Sequence, residues 1–419
     1  MAIRLTSVMA ILFATWFLST GQGLHQALIP LAAEENFFSQ ISISLLASVY
    51  FGGYLAGCIF APALIKRVGH IRTLAIAAAS LSALSLFHVL MPNEVLWIFF
   101  RVVVGLAFAS IDLVMESWLA ASAENQDRGK LLSIYRLIDL GSLGLGQFLI
   151  ASASPGEFLL FALVAICVSV TVVIVSASTA PAPPVPDSVN VRFWHVYKVS
   201  PLAVVGSLLH GVASGIYWGY GPLIAEDVSE SGAAVGTILA ATLIGAALAQ
   251  FPVGWASDKY DRRWLLIYLS GLAAVFSVVI ALVSGKHPEL MGVLMLFFGA
   301  TSFCIYPLVI TYAFDRAAKE EFVEVGAAIL MAYGVGAFAG PLLAPLASYW
   351  GEMSLVFLIV GLSYAGLTGF ALYRSGQSSP VVEEDTVEFV PMSASTQQIL
   401  DIDPRRDQAE PEIITEPDS

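Results

Sequence analysis

The stretch PVGWASDKYDRR, residues 252–263, gathers Asp258, Lys259, Asp261, Arg262 and Arg263 between two long apolar runs. Charge is scarce elsewhere: charged residues make up 12% of the 419-residue chain and apolar residues 58%. A soluble globular domain carries roughly 25% charged residues. The flanking runs are about 20 residues long, enough to cross a bilayer core as a helix. In lipid every backbone N–H and C=O needs an internal partner, so only helices and closed barrels span. Barrel strands would be about ten alternating residues. These runs are longer and apolar all round, so they are helices, and the charged stretch is a turn at the membrane surface.

Twelve such runs can be read, at 7–30, 42–64, 71–91, 95–117, 130–152, 156–178, 200–225, 232–254, 264–284, 289–313, 324–347 and 351–373. The first follows Arg4, as in a signal peptide, but it is too long for an h-region and has no clean small-residue cleavage site. With the N-terminus inside, one side collects Arg4, then Lys66, Arg67 and Arg72, then Arg128 and Lys130, then Arg192 and Lys198. The same side goes on to collect Lys259, Arg262 and Arg263, then Arg316 and Lys319, then Arg374, Arg405 and Arg406. The other side has Lys286 and a row of acids that includes Glu34, Glu35, Glu226, Asp227, Glu230 and Glu352. That bias marks the basic side as cytosolic. A multi-pass protein of the bacterial inner membrane is expected, with both chain ends in the cytosol.

Spans divide six and six about residues 179–199, where Pro181, Pro183, Pro184 and Pro186 make a stiff start to a linker. The expected units are a first bundle over 1–178, that linker, a second bundle over 200–375 and a tail over 376–419. Residues 377–419 hold eleven acids against Arg405 and Arg406 and no long apolar run. Such a segment is expected to be disordered. Cys58, Cys167 and Cys304 fall inside spans, as packing residues do, without a metal or disulfide pattern.

A shift of 192 residues aligns the halves without a gap over two spans. Gly23 meets Gly215, Pro30 meets Pro222, Glu34 meets Glu226, Glu35 meets Asp227 and Gly53 meets Gly245, so LIPLAAEE lies over YGPLIAED. Because the shift crosses six spans, both copies share one orientation, a parallel repeat about an axis along the membrane normal. The same shift sets PALIKRVGHIR, residues 62–72, opposite the charged turn. That turn, with Gly254, Asp258, Lys259, Arg262 and Arg263, resembles the signature of the major facilitator superfamily, with Asp261 in place of its second glycine. In the first copy Pro62 and Lys66 stand at the glycine and the acid, while Arg67, Gly69 and Arg72 remain. The resemblance covers residues 5–375 and implies a twelve-helix all-α membrane protein built as two six-helix bundles. ESWLAASAENQDRGKLLSIYR (116–136) resembles the span 4–5 connection of a little-characterised bacterial subgroup. The turn itself reads as a gate, with Asp258 latched to a neighbouring helix end by charge-assisted hydrogen bonds.

Charges inside the membrane are costly, about 2.5–3.5 kcal/mol each on insertion scales, and so mark function. Span 4 carries Arg101, Asp112 and Glu116 on one stripe, with Gly105 beside them. Arg101-x-x-x-Gly105 resembles the span 4 motif that the superfamily associates with proton coupling. Span 5 carries Arg136, Asp139 and Gln147. Asp112 and Arg136 lie at similar depth and could pair; Asp112 and Asp139 are candidate proton relays, the alternative being a static ion-pair network.

In a parallel-repeat transporter the solute binds near the midplane, between spans 1 and 7. Span 1 offers Gln22, His25 and Gln26; span 7 offers His210, Ser214, Tyr217 and Trp218; spans 10 and 11 add Tyr306 and Tyr333. Aromatic rings beside amides and imidazoles suit a small amphipathic organic solute. Gly336-x-x-x-Gly340-Pro341 in span 11 permits close helix approach and resembles the glycine–proline motif that antiporters carry in span 5. Span 5 here has Gly141, Gly144 and Gly146 and no such proline. The expected protein is a monomeric secondary transporter whose partners are protons, a small solute and the bilayer, working by export. Proton-driven uptake, or sensing through the acidic tail, are the alternatives. No nucleotide-binding, nucleophile-elbow, metal-protease or nucleic-acid pattern is present, so no cofactor, metal or enzymatic activity is expected.

Overall fold

The computed structural model describes residues 2–122, 128–177, 192–229, 231–283, 287–318, 321–348, 353–376 and 389. The start of the expected linker, the tail apart from Gly376 and Phe389, and Glu230, Lys286, Lys319 and Glu352 lie outside the described residues. The first half supplies α1 (Ala2–Glu35), α2 (Gln40–Val68), α3 (His70–Leu90), α4 (Glu94–Ser122), α5 (Arg128–Phe148) and α6 (Phe158–Ala177). A short surface helix, α7 (Phe193–Val199), precedes α8 (Pro201–Val228), α9 (Gly232–Lys259), α10 (Arg262–Val283), α11 (Pro288–Ser302), α12 (Ile305–Phe314), α13 (Phe322–Ser348) and α14 (Val356–Ser375). Eleven segments among the described residues are long and apolar enough to cross a membrane. With α1, 34 residues and about 50 Å long at 1.5 Å per residue, they are consistent with twelve passes.

Local chemistry sets the ends of these helices. Ser39 caps α2 by accepting the Ser42 N–H at 3.2 Å. Asn93 caps α4 by accepting the N–H groups of Val95 and Leu96, each at 3.1 Å. The tenth pass is broken rather than continuous as its sequence suggests: α11 stops at Ser302 and α12 restarts at Ile305. Pro307 explains the break. Its ring has no N–H to give Phe303 and would clash with that carbonyl in a regular helix.

Small residues decide which helices touch most closely. A Cβ on Gly23 would collide with the Leu143 carbonyl of α5, and one on Gly215 with the Ala337 carbonyl of α13. Gly53 meets α4 at Val102 in the same way, and Gly245 meets α11 at Leu296. The residues that align across the 192-residue shift therefore make equivalent helix contacts. Gly336 and Gly340 lie against Leu208 and Val212 of α8. Large side chains such as Phe99, Val173, Tyr268 and Leu282 are exposed on the outer surface, as a lipid-facing belt requires.

The two sets of helices meet chiefly through α2 with α13, α5 with α9 and α1 with α8. Ser44 and Tyr220 share a hydrogen bond at 2.6 Å, Gly219 lies against Ala47, and Gly236 against Phe148. These contacts lie toward the face that carries the 36–39 and 229–231 connections, away from the face of the 252–263 turn. The structure is sealed on the first of these faces.

Candidate functional site

Between the two sets of helices, on the turn side of that seal, lies a cavity of about 120 Å³. Gln22, Gln26, Tyr50, Tyr54, Asp112, Tyr135, Arg136 and Asp139 line it from the first half. His210, Ser214, Trp218, Phe303, Tyr306 and Tyr333 line it from the second. A second groove, at Met9, Phe13, Trp16 and Leu137, is apolar and opens on the lipid face.

Two of the expected wall residues stand elsewhere. His25 is fully buried, with Nδ1 at 3.2 Å from an Arg101 nitrogen and its ring edge-on to His88. It faces α3 and α4, because one helical step turns it away from Gln26. Tyr217 is likewise buried, packed among Trp218, Phe298 and Phe303. Sequence reading also missed Tyr50 and Tyr54, four residues apart on one face of α2, and Phe303 at the helix break.

Arg101 sits just behind the wall. It donates to the Leu46 carbonyl at 3.2 Å and to Gln26 Oε1 at 3.1 Å, and its guanidinium lies 4.4 Å from the centre of the Tyr50 ring. An arginine has no acceptor atom, so His25 accepts at Nδ1 and carries its proton on Nε2. Asp112 does not pair with Arg136. It accepts the Tyr54 hydroxyl at 2.6 Å. Arg136 instead bonds to Asp139, three residues along the same helix, where spacing alone makes them neighbours. Asp139 also accepts from Ser19 Oγ at 2.8 Å, which ties α5 to α1. Glu116 is buried farther along α4.

The charged turn joins Asp258 to the start of the next helix, as expected, and adds a second, buried contact. Arg262, rather than Asp258, makes the buried cross-helix contact: it ion-pairs with Asp315 at the end of α12 and donates to Ser257 Oγ at 2.9 Å. Asp258 lies 3.3 Å from Arg262, half exposed, because the reversal at residues 260–261 brings the end of α9 beside the start of α10. It also accepts the Phe389 N–H at 2.8 Å, while the Phe389 ring lies where a Cβ on Gly254 would need to go. Lys259 covers the Trp255 ring at 4.4 Å. Asp261 caps α10, accepting the Arg263 N–H at 2.9 Å and pairing with its guanidinium at 2.5 Å. Partial burial opposes the Asp261 charge, but the Arg263 contacts outweigh it and hold the carboxyl below the usual range. Asp315 was the missed residue here; it is an acid on the basic side, directly after an apolar run.

A family model described as Major Facilitator Superfamily matches the chain twice, over residues 11–204 and 203–400. The chain belongs to the Major Facilitator Superfamily. The boundary between the two matches falls at the start of α8. A protein of Escherichia fergusonii named "uncharacterized MFS-type transporter YcaD" is 24% identical over 384 residues, 91% of this chain and 99% of that protein. The crystal structure of the nucleoside transporter NupG superposes with a TM-score of 0.72 at 12% identity, covering 89% of this chain and 99% of that one. A bacterial homologue of the human lysosomal transporter Spinster, solved inward-facing and unoccupied, gives 0.67 at 13% identity over 89% of this chain and 96% of its own. At such identities the structures establish the shared fold. The protein is a multi-pass membrane transporter of the superfamily and not an enzyme.

Proposed function

We propose that the protein is a proton-driven exporter of a small organic solute. It works as a monomer in the bacterial inner membrane with both chain ends in the cytosol, and its two halves rock about the central cavity. One observation carries this reading: two carboxylates, Asp112 and Asp139, stand in the wall of the same cavity of about 120 Å³ that the solute would occupy. Solute and proton then compete for one space, and competition couples opposed flows. Each carboxylate is held by a partner that can let go, Tyr54 for Asp112 and Arg136 with Ser19 for Asp139. A seal on one face, with the cavity on the side of the other, is the geometry of one of the two end states of alternating access. The basic turn at 252–263 favours assigning that open side to the cytosol.

The test is solute flux in proteoliposomes under an imposed pH gradient, screened over a compound library. Asp112→Asn and Asp139→Asn are each expected to abolish gradient-driven accumulation while leaving the protein folded. Unchanged gradient-driven flux in both variants would remove the coupling role of these carboxylates.

A further inference from the structure

The cavity wall holds two hydrogen-bonding atoms that are buried and have no partner: the Tyr306 hydroxyl and Arg136 Nε. Tyr306 is 2% exposed and Arg136 9%. Buried polar atoms are otherwise almost always satisfied, so an orphan pair in one cavity points to a ligand that satisfies them. The two atoms belong to opposite halves, Arg136 on α5 and Tyr306 on α12. Both can donate, and Arg136 can only donate.

Rings surround the same space. The centres of His210, Tyr306 and Tyr333 lie 5.4–6.4 Å from one another. Trp218 and Phe303 form a second wall, edge to face at 6.1 Å. The position of His210 is fixed from behind, since its Nδ1 shares a hydrogen bond with the Tyr364 hydroxyl at 3.1 Å. Such spacing suits contact with a flat π-system.

Charge then narrows the class. The one guanidinium in the wall already pairs with Asp139, so a free anion would face two carboxylates and no unpaired cation. A cation without an acceptor atom would leave Arg136 Nε, which can only donate, unsatisfied. At about 120 Å³ the cavity is also smaller than the roughly 300–1,000 Å³ of drug-sized sites.

We infer that the transported solute is a small, uncharged, planar ring bearing two oxygen acceptors, which bridge Tyr306 on one half and Arg136 on the other. This rests on the transport reading above and adds its substrate class. It also supplies a reason for exchange. The Asp139 carboxylate holds Arg136 in place, so loss of that contact frees the arginine and releases the ring.

Radiolabelled uracil, a flat ring with two carbonyl oxygens, is the probe. Its saturable binding to purified full-length protein is measured and competed with 2-pyridone, benzoate and tetramethylammonium. Uracil is expected to bind, 2-pyridone to compete about tenfold more weakly for want of one acceptor, and the two ions not to compete. Tyr306→Phe keeps the ring and removes the hydroxyl; it should weaken uracil about tenfold and leave 2-pyridone within a factor of two. An unchanged thermal melt shows that the variant is folded. No uracil binding, stronger competition by either ion, or an indifferent Tyr306→Phe overturns the assignment. Gradient-driven flux of another solute class, without competition by uracil, would keep the coupling and sink the ring site. Uracil binding that ignores both pH and Asp139→Asn would keep the ring site and sink the coupling.

Discussion

Removing the carboxylate of Asp315 should cost more stability than removing that of Asp258. Arg262 opens α10, Ser257 belongs to α9 and Asp315 closes α12, so one guanidinium fastens three helix ends. The Arg262 and Asp315 side chains are 5% and 4% exposed, whereas Asp258 is 39% exposed. Removing one partner of a buried pair leaves an uncompensated charge and costs about 3–5 kcal/mol. Asp315→Asn keeps an acceptor oxygen, and Asp258 at the end of α9, 3.3 Å from Arg262, still faces the guanidinium. Both effects place the loss at the lower end, about 3 kcal/mol, which is roughly a hundredfold in the unfolding equilibrium. Asp258→Asn removes a half-exposed partner worth up to about 1 kcal/mol. Reversible unfolding of purified protein in a mixed-micelle denaturant series measures both. The double variant should lose more than the sum of the singles, because the substitute partner has gone too. An Asp315→Asn loss within about 0.5 kcal/mol, or one smaller than that of Asp258→Asn, would refute the buried clamp and restore Asp258 as the latch.

Three further outcomes follow from the packing and the charges. Gly215→Ala drives a methyl into the Ala337 carbonyl and should destabilise by about 1–3 kcal/mol, whereas Gly144→Ala, with 3.5 Å to the nearest atom, should be neutral or better; thermal melts of the two variants decide it. Asp261 has a folded-state pKa below the ordinary aspartate value of 3.8, so its contribution is complete above that value and is lost as pH falls through the lower folded value. Melts between pH 5 and 3 should therefore show a shallower acid slope for Asp261→Asn than for the parent, and equal slopes would count against the Arg263 contact. Tyr54→Phe removes the hydroxyl that holds Asp112 at 2.6 Å and should lower gradient-driven flux severalfold without changing the melt by more than a few degrees.

The fold was legible because two independent signals had to agree. Apolar runs of membrane length gave the passes, and the sorting of basic residues fixed their alternation, so a missed span would have scrambled the order of Lys66, Arg128, Lys198 and Lys259. Helix faces were less legible. His25 and Gln26 are adjacent in sequence, yet one faces the Arg101 pocket and the other the cavity, because 100° per residue separates walls that a window of three residues blurs. Pairings of charges were legible only where local spacing determined them. Arg136 with Asp139 follows from an i,i+3 separation, whereas Tyr54 with Asp112 and Arg262 with Asp315 depend on how helices approach, which glycine contacts decide. The tenth-pass break was not legible, because Pro30, Pro222 and Pro341 also lie in apolar runs and their helices continue, whereas the helix stops before Pro307.

The two copies of the surface turn show how far the internal repeat extends. Residues 69 and 261 are equivalent under the 192-residue shift, but one is glycine and the other aspartate. Gly69 turns the chain with φ of +87°, a conformation that an L side chain rarely adopts. Tyr260 makes the same reversal in extended backbone, and the Asp261 side chain then caps α10. Symmetry therefore fixes where the chain reverses, while each half reaches that reversal with its own chemistry. In the second half the cap brings its own arginine, Arg263, and leaves Arg262 to reach Asp315. In the first half the acid positions are held by Lys66 and Gly69, so neither the Asp261 cap nor an Asp258 equivalent can form. Among the described residues, the clamp on helix ends through Arg262, Asp315 and Ser257 stands in the second half.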